Sequence, residues 1–139
     1  MVDFFKAYND FNNSIELKTE HFYYNSEHSP HEIAFNGKCR IFVPGFIGYS
    51  IKKYKSQVLN KPTYKEIFVL CEEYYQKTRN RSNKYFEGIF KPEEQKEQEE
   101  QGEIFILNPK KIYNIEMMLK NSNMETFHKY LHINNIEIL

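Results

Sequence analysis

The segment that follows Pro62 constrains the fold most, because it combines a helix-start signal with a one-sided apolar pattern. Thr63 and Glu66 form a Thr-x-x-Glu capping box, in which each side chain bonds a backbone N–H group of the other residue. Apolar side chains then recur every three or four positions: Tyr64, Ile67, Phe68, Cys71, Tyr74 and Tyr75. The sequence therefore predicts an amphipathic helix whose apolar side must be covered by another layer of the protein.

Several segments around this helix predict β-strands. Residues 14–24 alternate between apolar and polar side chains, which is typical of a half-buried strand. Asn36-Gly37 lies between two apolar runs and favours a tight hairpin. Because hairpins join neighbouring antiparallel strands, we expect a mostly antiparallel sheet of about five or six strands. The predicted strands are residues 14–24, 32–35, 38–43, 84–90, 103–107 and 136–138.

Three further helices are predicted. The first covers residues 2–12, with an apolar face of Phe4, Phe5, Tyr8 and Phe11. The second starts at Asn108-Pro109 and buries Ile112, Ile115, Met118 and Leu119. The third follows a Ser122-x-x-Glu125 capping box and presents Met124, Phe127 and Leu131. Residues 46–59 fit a helix only weakly, because Gly48 and Ser50 disfavour it. Residues 1–139 are expected to form one α+β domain with helices packed on one face of the sheet.

Composition limits the class of protein. With 12 Phe and 11 Tyr, the chain is not a disordered one, because disordered chains are poor in aromatic residues. It contains no run of eighteen apolar residues and no basic-then-apolar leader at its start, so a cytoplasmic location without a membrane span is expected. Cys39 and Cys71 are expected to be reduced core residues.

Charge is unevenly distributed along the chain, although 19 basic and 19 acidic residues give a net charge of zero. Residues 37–91 carry twelve basic and four acidic side chains, whereas residues 92–103 carry one Lys and six Glu. The segment at about 92–102 has no apolar residue and cannot build a core. We therefore expect a flexible acidic insert there, between two strands.

No motif in the sequence specifies a reaction. His28-x-x-His31 has an unspecific spacing and lies in a polar loop. His128 and His132 share one helix face, but Lys129 stands where the zinc-protease motif has Glu, and His128 is expected to be partly buried. Phosphate-binding glycine loops, nucleophile elbows and Cys-x-x-Cys pairs do not occur in the sequence. We expect no bound metal, no cofactor and no enzymatic activity.

Protein binding is the function that this pattern favours. An inhibitor needs no catalytic residues, and an acidic surface complements the basic substrate cleft of a nuclease. Residue types with A/T-rich codons (Asn, Ile, Lys, Phe and Tyr) supply 67 of 139 positions, which suggests a phage or horizontally acquired bacterial gene. We expect a bacterial immunity or antitoxin protein that neutralises a cognate toxin by occluding its active site. The residues predicted to bind the basic toxin domain are Glu93, Glu94, Glu97, Glu99 and Glu100.

Two alternatives remain open. The basic segment 49–85 interleaves aromatic and cationic side chains. This pattern is typical of proteins whose aromatic rings stack on bases and whose cations contact phosphates. The chain would then be a nucleic-acid-binding or phage accessory protein. Its contact residues would be Tyr49, Lys52, Lys53, Tyr54, Lys55, Arg79 and Arg81. The second alternative is a metal-dependent or RNA-processing enzyme that uses the histidines.

Overall fold

A computed structural model of the chain describes residues 1–45 and 53–139. Within these residues four helices and six strands form one α+β domain, as the sequence predicted. The helices are α1 (Phe4–Ser14), α2 (Tyr64–Thr78), α3 (Glu93–Glu100) and α4 (Met124–Ile133). The strands are β1 (Tyr23–Tyr24), β2 (Lys38–Val43), β3 (Tyr54–Lys55), β4 (Leu59–Asn60), β5 (Tyr85–Ile89) and β6 (Tyr113–Lys120). No helix in these ranges has both the length and the apolar character needed to cross a bilayer.

The strands form one sheet in the order β1-β5-β6-β2-β3, with β4 also paired to β2. β2 pairs antiparallel with β3 and β4, and β5 pairs antiparallel with β6, whereas β1–β5 and β2–β6 are parallel pairs. The prediction of a mostly antiparallel sheet is confirmed. Ser56 lies between β3 and β4, where its hydroxyl accepts from the Ile41 N–H (2.9 Å) and its own N–H donates to Ile41 O (2.8 Å).

Helix α2 covers one face of this sheet and begins at the predicted capping box. The Glu66 N–H donates to Thr63 Oγ1 (3.2 Å), and the Thr63 N–H donates to Glu66 Oε1 (3.4 Å). The apolar stripe of the helix is buried against the sheet, so the element that the sequence defines best is also the centre of the main core. Fully buried residues of this core include Ile67, Phe68, Cys71 and Tyr74 from α2 and Cys39, Ile41, Phe86 and Ile115 from the sheet.

Helices α1 and α4 form a second, smaller core against β5. Tyr85 is buried there with Phe11 and Phe127, while its neighbour Phe86 belongs to the α2 core. Since successive strand residues point to opposite faces, α1 and α4 lie on the side opposite α2. The expected packing of helices on one face holds for α2 but not for α1 and α4. These two helices pack on the opposite face at the β1–β5 edge, towards which Tyr23 and Tyr85 point.

The predicted helix over residues 108–119 is wrong, because this segment contains β6 at the centre of the sheet. Tyr113, Ile115 and Met117 are buried at alternate positions, and β6 pairs with β2 on one side and β5 on the other. Apolar residues are so dense from Ile112 onward that the spacing of a helix and that of a strand both fit. Backbone hydrogen bonds to β2 and β5 on the two sides of this segment favour the strand.

The region around the acidic insert also differs from the prediction. β5 forms, but residues 103–107 are not assigned to a strand, so the predicted pairing of 84–90 with 103–107 is wrong and β5 pairs with β1 and β6 instead. The insert contains α3 rather than a structureless loop. Glu, Gln and Lys are good helix formers, and Glu93 and Glu94 suit the positive end of a helix. The flexibility of the insert stays a prediction.

Two strand predictions in the first half of the chain differ from the structure: the strand over residues 14–24 and the hairpin at Asn36-Gly37. Of residues 14–24, only β1 and one isolated bridge form. Asn36-Gly37 does not join a hairpin, because Ile33 bridges to Thr63 while β2 pairs with β3, β4 and β6. Distant backbone partners thus replace the local pairing that the turn residues favour.

Three other predicted elements differ in part from the structure. Of the weakly predicted helix over 46–59, residues 46–52 lie outside the described residues, and the remainder contains β3 and β4. Helix α4 is capped by Asn123 rather than Ser122, with Asn123 Oδ1 accepting from the Thr126 N–H (3.4 Å). The predicted tail strand is reduced to a single bridge from Ile138.

Candidate functional site

Helix α3 contains all five glutamates that the sequence predicts as partner-binding residues. Two of them already have partners within the chain: Glu94 pairs with Lys111, and Glu99 pairs with Lys91 at 3.0 Å. The hydrogen bond from Lys91 lowers the pKa of the Glu99 carboxyl. No residue of α3 is buried, so these polar contacts, rather than a core, position the helix.

The other three glutamates share one side of the helix. Glu93, Glu97 and Glu100 follow the spacing i, i+4, i+7, which places them in a row. All three are exposed, and none has an ion-pair partner among residues 1–45 and 53–139. We call this row the acidic face. Like charges at such spacing destabilise a helix by about 0.2–0.5 kcal/mol per pair, so a cationic partner would relieve a cost that the free chain bears.

The acidic face borders a depression at one end of the sheet. Its volume is about 390 Å³, and it opens between α3 and the strands β2 and β6. Phe42 and Asn114 also line a second pocket, of about 290 Å³, beside Lys53 and Lys55. The residues that line the larger depression are Phe42, Pro92, Glu93, Glu94, Glu97, Lys111, Ile112, Tyr113 and Asn114. Carboxylates and apolar side chains therefore line one concave surface.

An exposed apolar stretch comes directly after α3. Ile104 and Ile106 are 86% and 79% exposed. The residues that follow each of them, Phe105 and Leu107, are half-buried against the main core, and the Phe105 ring lies 5.9 Å from the Tyr113 ring. Contacts at every second residue thus hold the backbone while the two isoleucines face water. We call Ile104 and Ile106 the isoleucine pair.

The residues predicted for nucleic-acid binding are described only in part, and they differ in exposure. Tyr49 and Lys52 lie outside the described residues. Lys53 and Lys55 are exposed, but Tyr54 between them is 1% exposed, and burial raises its pKa strongly. Its ring is therefore unavailable for stacking on a base in this conformation. Arg79 and Arg81 are exposed beyond the carboxyl end of α2.

The histidines that the sequence singles out lie in the loop between β1 and β2 and on α4. His28 stacks on Tyr64, with ring centroids 4.6 Å apart, and lies 3.4 Å from a carboxylate oxygen of Glu32. His128 and His132 are exposed on α4. The expectation that His128 is partly buried is wrong, because Phe127 alone of this turn points into the core.

The structure brings together a histidine–glutamate pair that the sequence analysis did not single out. Glu72 accepts two hydrogen bonds from His21, one from its backbone N–H (2.7 Å) and one from its Nδ1–H (2.8 Å). The His21 ring stacks on Tyr75 at 3.9 Å between centroids. Burial raises the pKa of the Glu72 carboxyl, but the hydrogen bonds from His21 outweigh burial and lower it overall. No local pattern reveals the pair, because 51 residues separate its members.

Glu20 completes a group of three possible metal ligands with His21 and Glu72, whose ligand atoms lie within 4.8 Å of one another. Nδ1 of His21 already bonds to Glu72, so Nε2 is the ring nitrogen that remains, 4.0 Å from the Glu20 carboxylate. Catalytic zinc sites use three protein ligands and structural sites four. Because Nδ1 of His21 and Glu72 bond to each other, only Nε2 and the Glu20 carboxylate are left for an ion, and the arrangement resembles a hydrogen-bonded pair more than a metal centre.

Both cysteines belong to the main core as free thiols, as the sequence predicted. Burial raises the pKa of the Cys39 thiol to about 11 and raises that of Cys71 further. The Cys71 thiol lies 3.7 Å from the Met117 sulfur. Because the thiolate is the reactive form of cysteine, neither side chain is suited to act as a nucleophile.

Comparison with protein-family models, with curated proteins and with solved structures finds no match to this chain. Three features of the described chain carry its functional interpretation: the acidic face, the isoleucine pair that follows α3 in the sequence, and the surroundings of His21.

Proposed function

We propose that the chain is a non-catalytic inhibitor that binds another protein: a bacterial immunity or antitoxin protein that neutralises a cognate toxin. The toxin would be a basic enzyme such as a nuclease, and the inhibitor would occlude its active site. The observation that carries this proposal is the acidic face, in which Glu93, Glu97 and Glu100 stand exposed in one row without ion-pair partners in the described chain.

Charge complementarity is the first argument. An enzyme that cleaves nucleic acid needs cationic side chains to hold the phosphate backbone. A row of carboxylates on one helix side offers such a cleft anionic groups in place of phosphates. Attraction of this kind raises association rates by about 10- to 1,000-fold. It also disfavours acidic partners, which gives the interaction specificity.

The isoleucine pair supplies the apolar area that the centre of an interface requires. Full burial of an isoleucine side chain contributes about 1.5–3 kcal/mol relative to exposure. Ile104 and Ile106 start almost fully exposed, so together they offer about 3–6 kcal/mol before the costs of association. In this arrangement the glutamates accelerate the encounter and the isoleucines prolong the complex.

Contacts within the chain restrain α3 at both of its ends. Its ion pairs to Lys91 and Lys111 contribute little stability, because they are exposed, but they restrain the helix from both ends. At the carboxyl end, the Glu103 N–H also donates to Gln98 O (2.8 Å). A surface that is already ordered loses less conformational entropy on binding, which favours high affinity.

Affinity capture from a lysate of the encoding organism tests the proposal with three baits. The first bait is the wild-type chain. The second, the acidic-face variant, carries Glu93→Gln, Glu97→Gln and Glu100→Gln. The third, the charge-matched control, changes three exposed glutamates outside α3 and therefore alters the net charge equally. Its substitutions are Glu16→Gln, Glu125→Gln and Glu137→Gln.

We expect the wild type and the charge-matched control to retain one basic protein in stoichiometric amount. The acidic-face variant should bind it at least tenfold more weakly, which corresponds to about 1.4 kcal/mol. The purified partner should also lose its enzymatic activity when one equivalent of wild-type chain is added. Equal capture by all three baits, failure to capture any such protein, or an undiminished partner activity contradicts the proposal.

A further inference from the structure

A small pocket lies where the carboxyl end of α2 meets the segments that lead into β1 and β5. Its volume is about 250 Å³, and His21, Tyr75, Arg81, Asn83 and Lys84 line it. None of these residues belongs to the acidic face or to the isoleucine pair. Drug-sized ligands occupy pockets of roughly 300–1,000 Å³, so this pocket suits a smaller chemical group.

One wall of the pocket is an imidazole ring in a fixed orientation. His21 is held by its two hydrogen bonds to Glu72 and by stacking on Tyr75. Because Nδ1–H is committed to the carboxylate, Nε2 is the nitrogen left for a ligand.

Two cationic side chains complete the lining. Arg81 and Lys84 have no ion-pair partner within the part of the chain that the structure describes. Hydrogen bonds to α2 hold the loop that carries them: the hydroxyl of the buried Tyr74 accepts from the side-chain amides of Asn80 (2.8 Å) and Asn83 (3.2 Å). The cations are therefore held near the pocket at little further entropic cost.

We propose that this pocket binds a phosphate group, either as the free anion or as part of a nucleotide or nucleic acid. The guanidinium of Arg81 and the ammonium of Lys84 are donors, and Nε2 of His21 is a third polar contact on a separate side chain. A phosphate has enough oxygens to meet all three, and Arg binds it through two parallel N–H groups. A carboxylate ligand has two oxygens in one plane and matches three separate contacts less well.

The charges around the pocket are compatible with an anion. Two carboxylates lie nearby, of which Glu72 already accepts two hydrogen bonds from His21. Glu20 approaches His21 Nε2 to 4.0 Å, but its side chain is 81% exposed, so an incoming phosphate can displace it into water. Arg81 and Lys84 then outweigh the single remaining carboxylate.

Titration with inorganic phosphate at constant ionic strength, followed by NMR, tests the pocket. We expect shifts of the His21 ring resonance and of the Arg81 and Lys84 backbone amides, with a dissociation constant on the order of 1 mM. Arg81→Gln should weaken binding about tenfold. Arg79→Gln is the matched control, because Arg79 is exposed two residues away but does not line the pocket, and it should change binding less than about twofold.

Adenosine monophosphate and a short single-stranded RNA, titrated in parallel, identify the source of the phosphate. Tighter binding of the RNA, weakened by Arg81→Gln, assigns the pocket to a nucleic-acid backbone. Equal affinity for all three ligands assigns it to the free phosphate group. The proposal is overturned if phosphate shifts no pocket resonance, or if Arg79→Gln and Arg81→Gln weaken binding equally.

Discussion

The Tyr85 hydroxyl is a polar contact that joins α1 to the sheet from inside the second core. Tyr85 is 1% exposed, and its hydroxyl lies 2.8 Å from the Tyr8 hydroxyl and donates to Asn12 Oδ1 at 2.6 Å. Burial raises the pKa of this phenol, so the hydroxyl stays protonated and able to donate. Tyr85→Phe removes both hydrogen bonds and leaves the buried ring in place.

The size of the effect follows from the surroundings of the lost bonds. A hydrogen bond between neutral groups contributes about 0.5–1.5 kcal/mol to stability. Tyr8 and Asn12 are half-buried and can bond to water after the substitution, so part of the loss is recovered. We therefore expect Tyr85→Phe to lower the free energy of unfolding by about 1–2 kcal/mol. The thermal midpoint of a domain of this size would fall by roughly 3–8 °C.

Urea unfolding followed by circular dichroism measures this difference. Tyr23→Phe is the matched control, because Tyr23 stacks on Tyr85 at 5.4 Å but its hydroxyl has no hydrogen-bond partner within residues 1–45 and 53–139. The control should change stability by less than about 0.5 kcal/mol. Equal unfolding midpoints for the two variants would refute the role assigned to the Tyr85 hydroxyl.

Three further outcomes are expected. Phe68→Ala should cost about 3–5 kcal/mol in urea unfolding, because Phe68 is 0% exposed at the centre of the main core; a midpoint like that of the wild type would exclude this position from the core. Cys39 and Cys71 should react with a thiol reagent at pH 8 only as fast as the chain unfolds, since burial raises both pKa values; fast labelling of the folded chain would argue against buried thiols. Burial raises the pKa of Glu72, but the bonds from His21 lower it overall, so its contribution to stability is present at neutral pH and lost as the pH falls through the folded-state value. Glu72→Gln should therefore reduce the acid-induced loss of stability, and an unchanged acid profile would contradict this.

Local signals explain why α2 could be predicted and β6 could not. The capping box and the apolar stripe of α2 both lie in the sixteen residues from Thr63 to Thr78, and both predict the same helix. The segment from Ile112 to Leu119 is apolar at most positions, so it fits two periods equally well. Its choice of strand depends on β2 and β5, which lie far away in the sequence.

The acidic segment illustrates a different limit of sequence reasoning. The composition of the segment correctly predicts that α3 adds nothing to the core, but it does not reveal that a helix forms or which glutamates are paired within the chain. Lys91 pairs with Glu99 and Lys111 with Glu94, and the row of the remaining glutamates can be recognised only once the helix is known. The His21–Glu72 pair is beyond sequence reasoning for a related reason, because the packing of α2 beside β1 creates it.

The central claim, that the acidic face binds a basic partner, is tested most directly by the association rate with the captured protein as salt increases. The Debye length falls from about 30 Å at 0.01 M salt to about 8 Å at 0.15 M, so an electrostatically steered rate must fall steeply. We predict this for the wild type and for the charge-matched control. The variant Glu93→Gln, Glu97→Gln, Glu100→Gln should associate about tenfold more slowly at low salt, with little salt dependence and an unchanged melting temperature, because no residue of α3 is buried. An association rate in this variant equal to that of the wild type at every salt concentration would contradict the account.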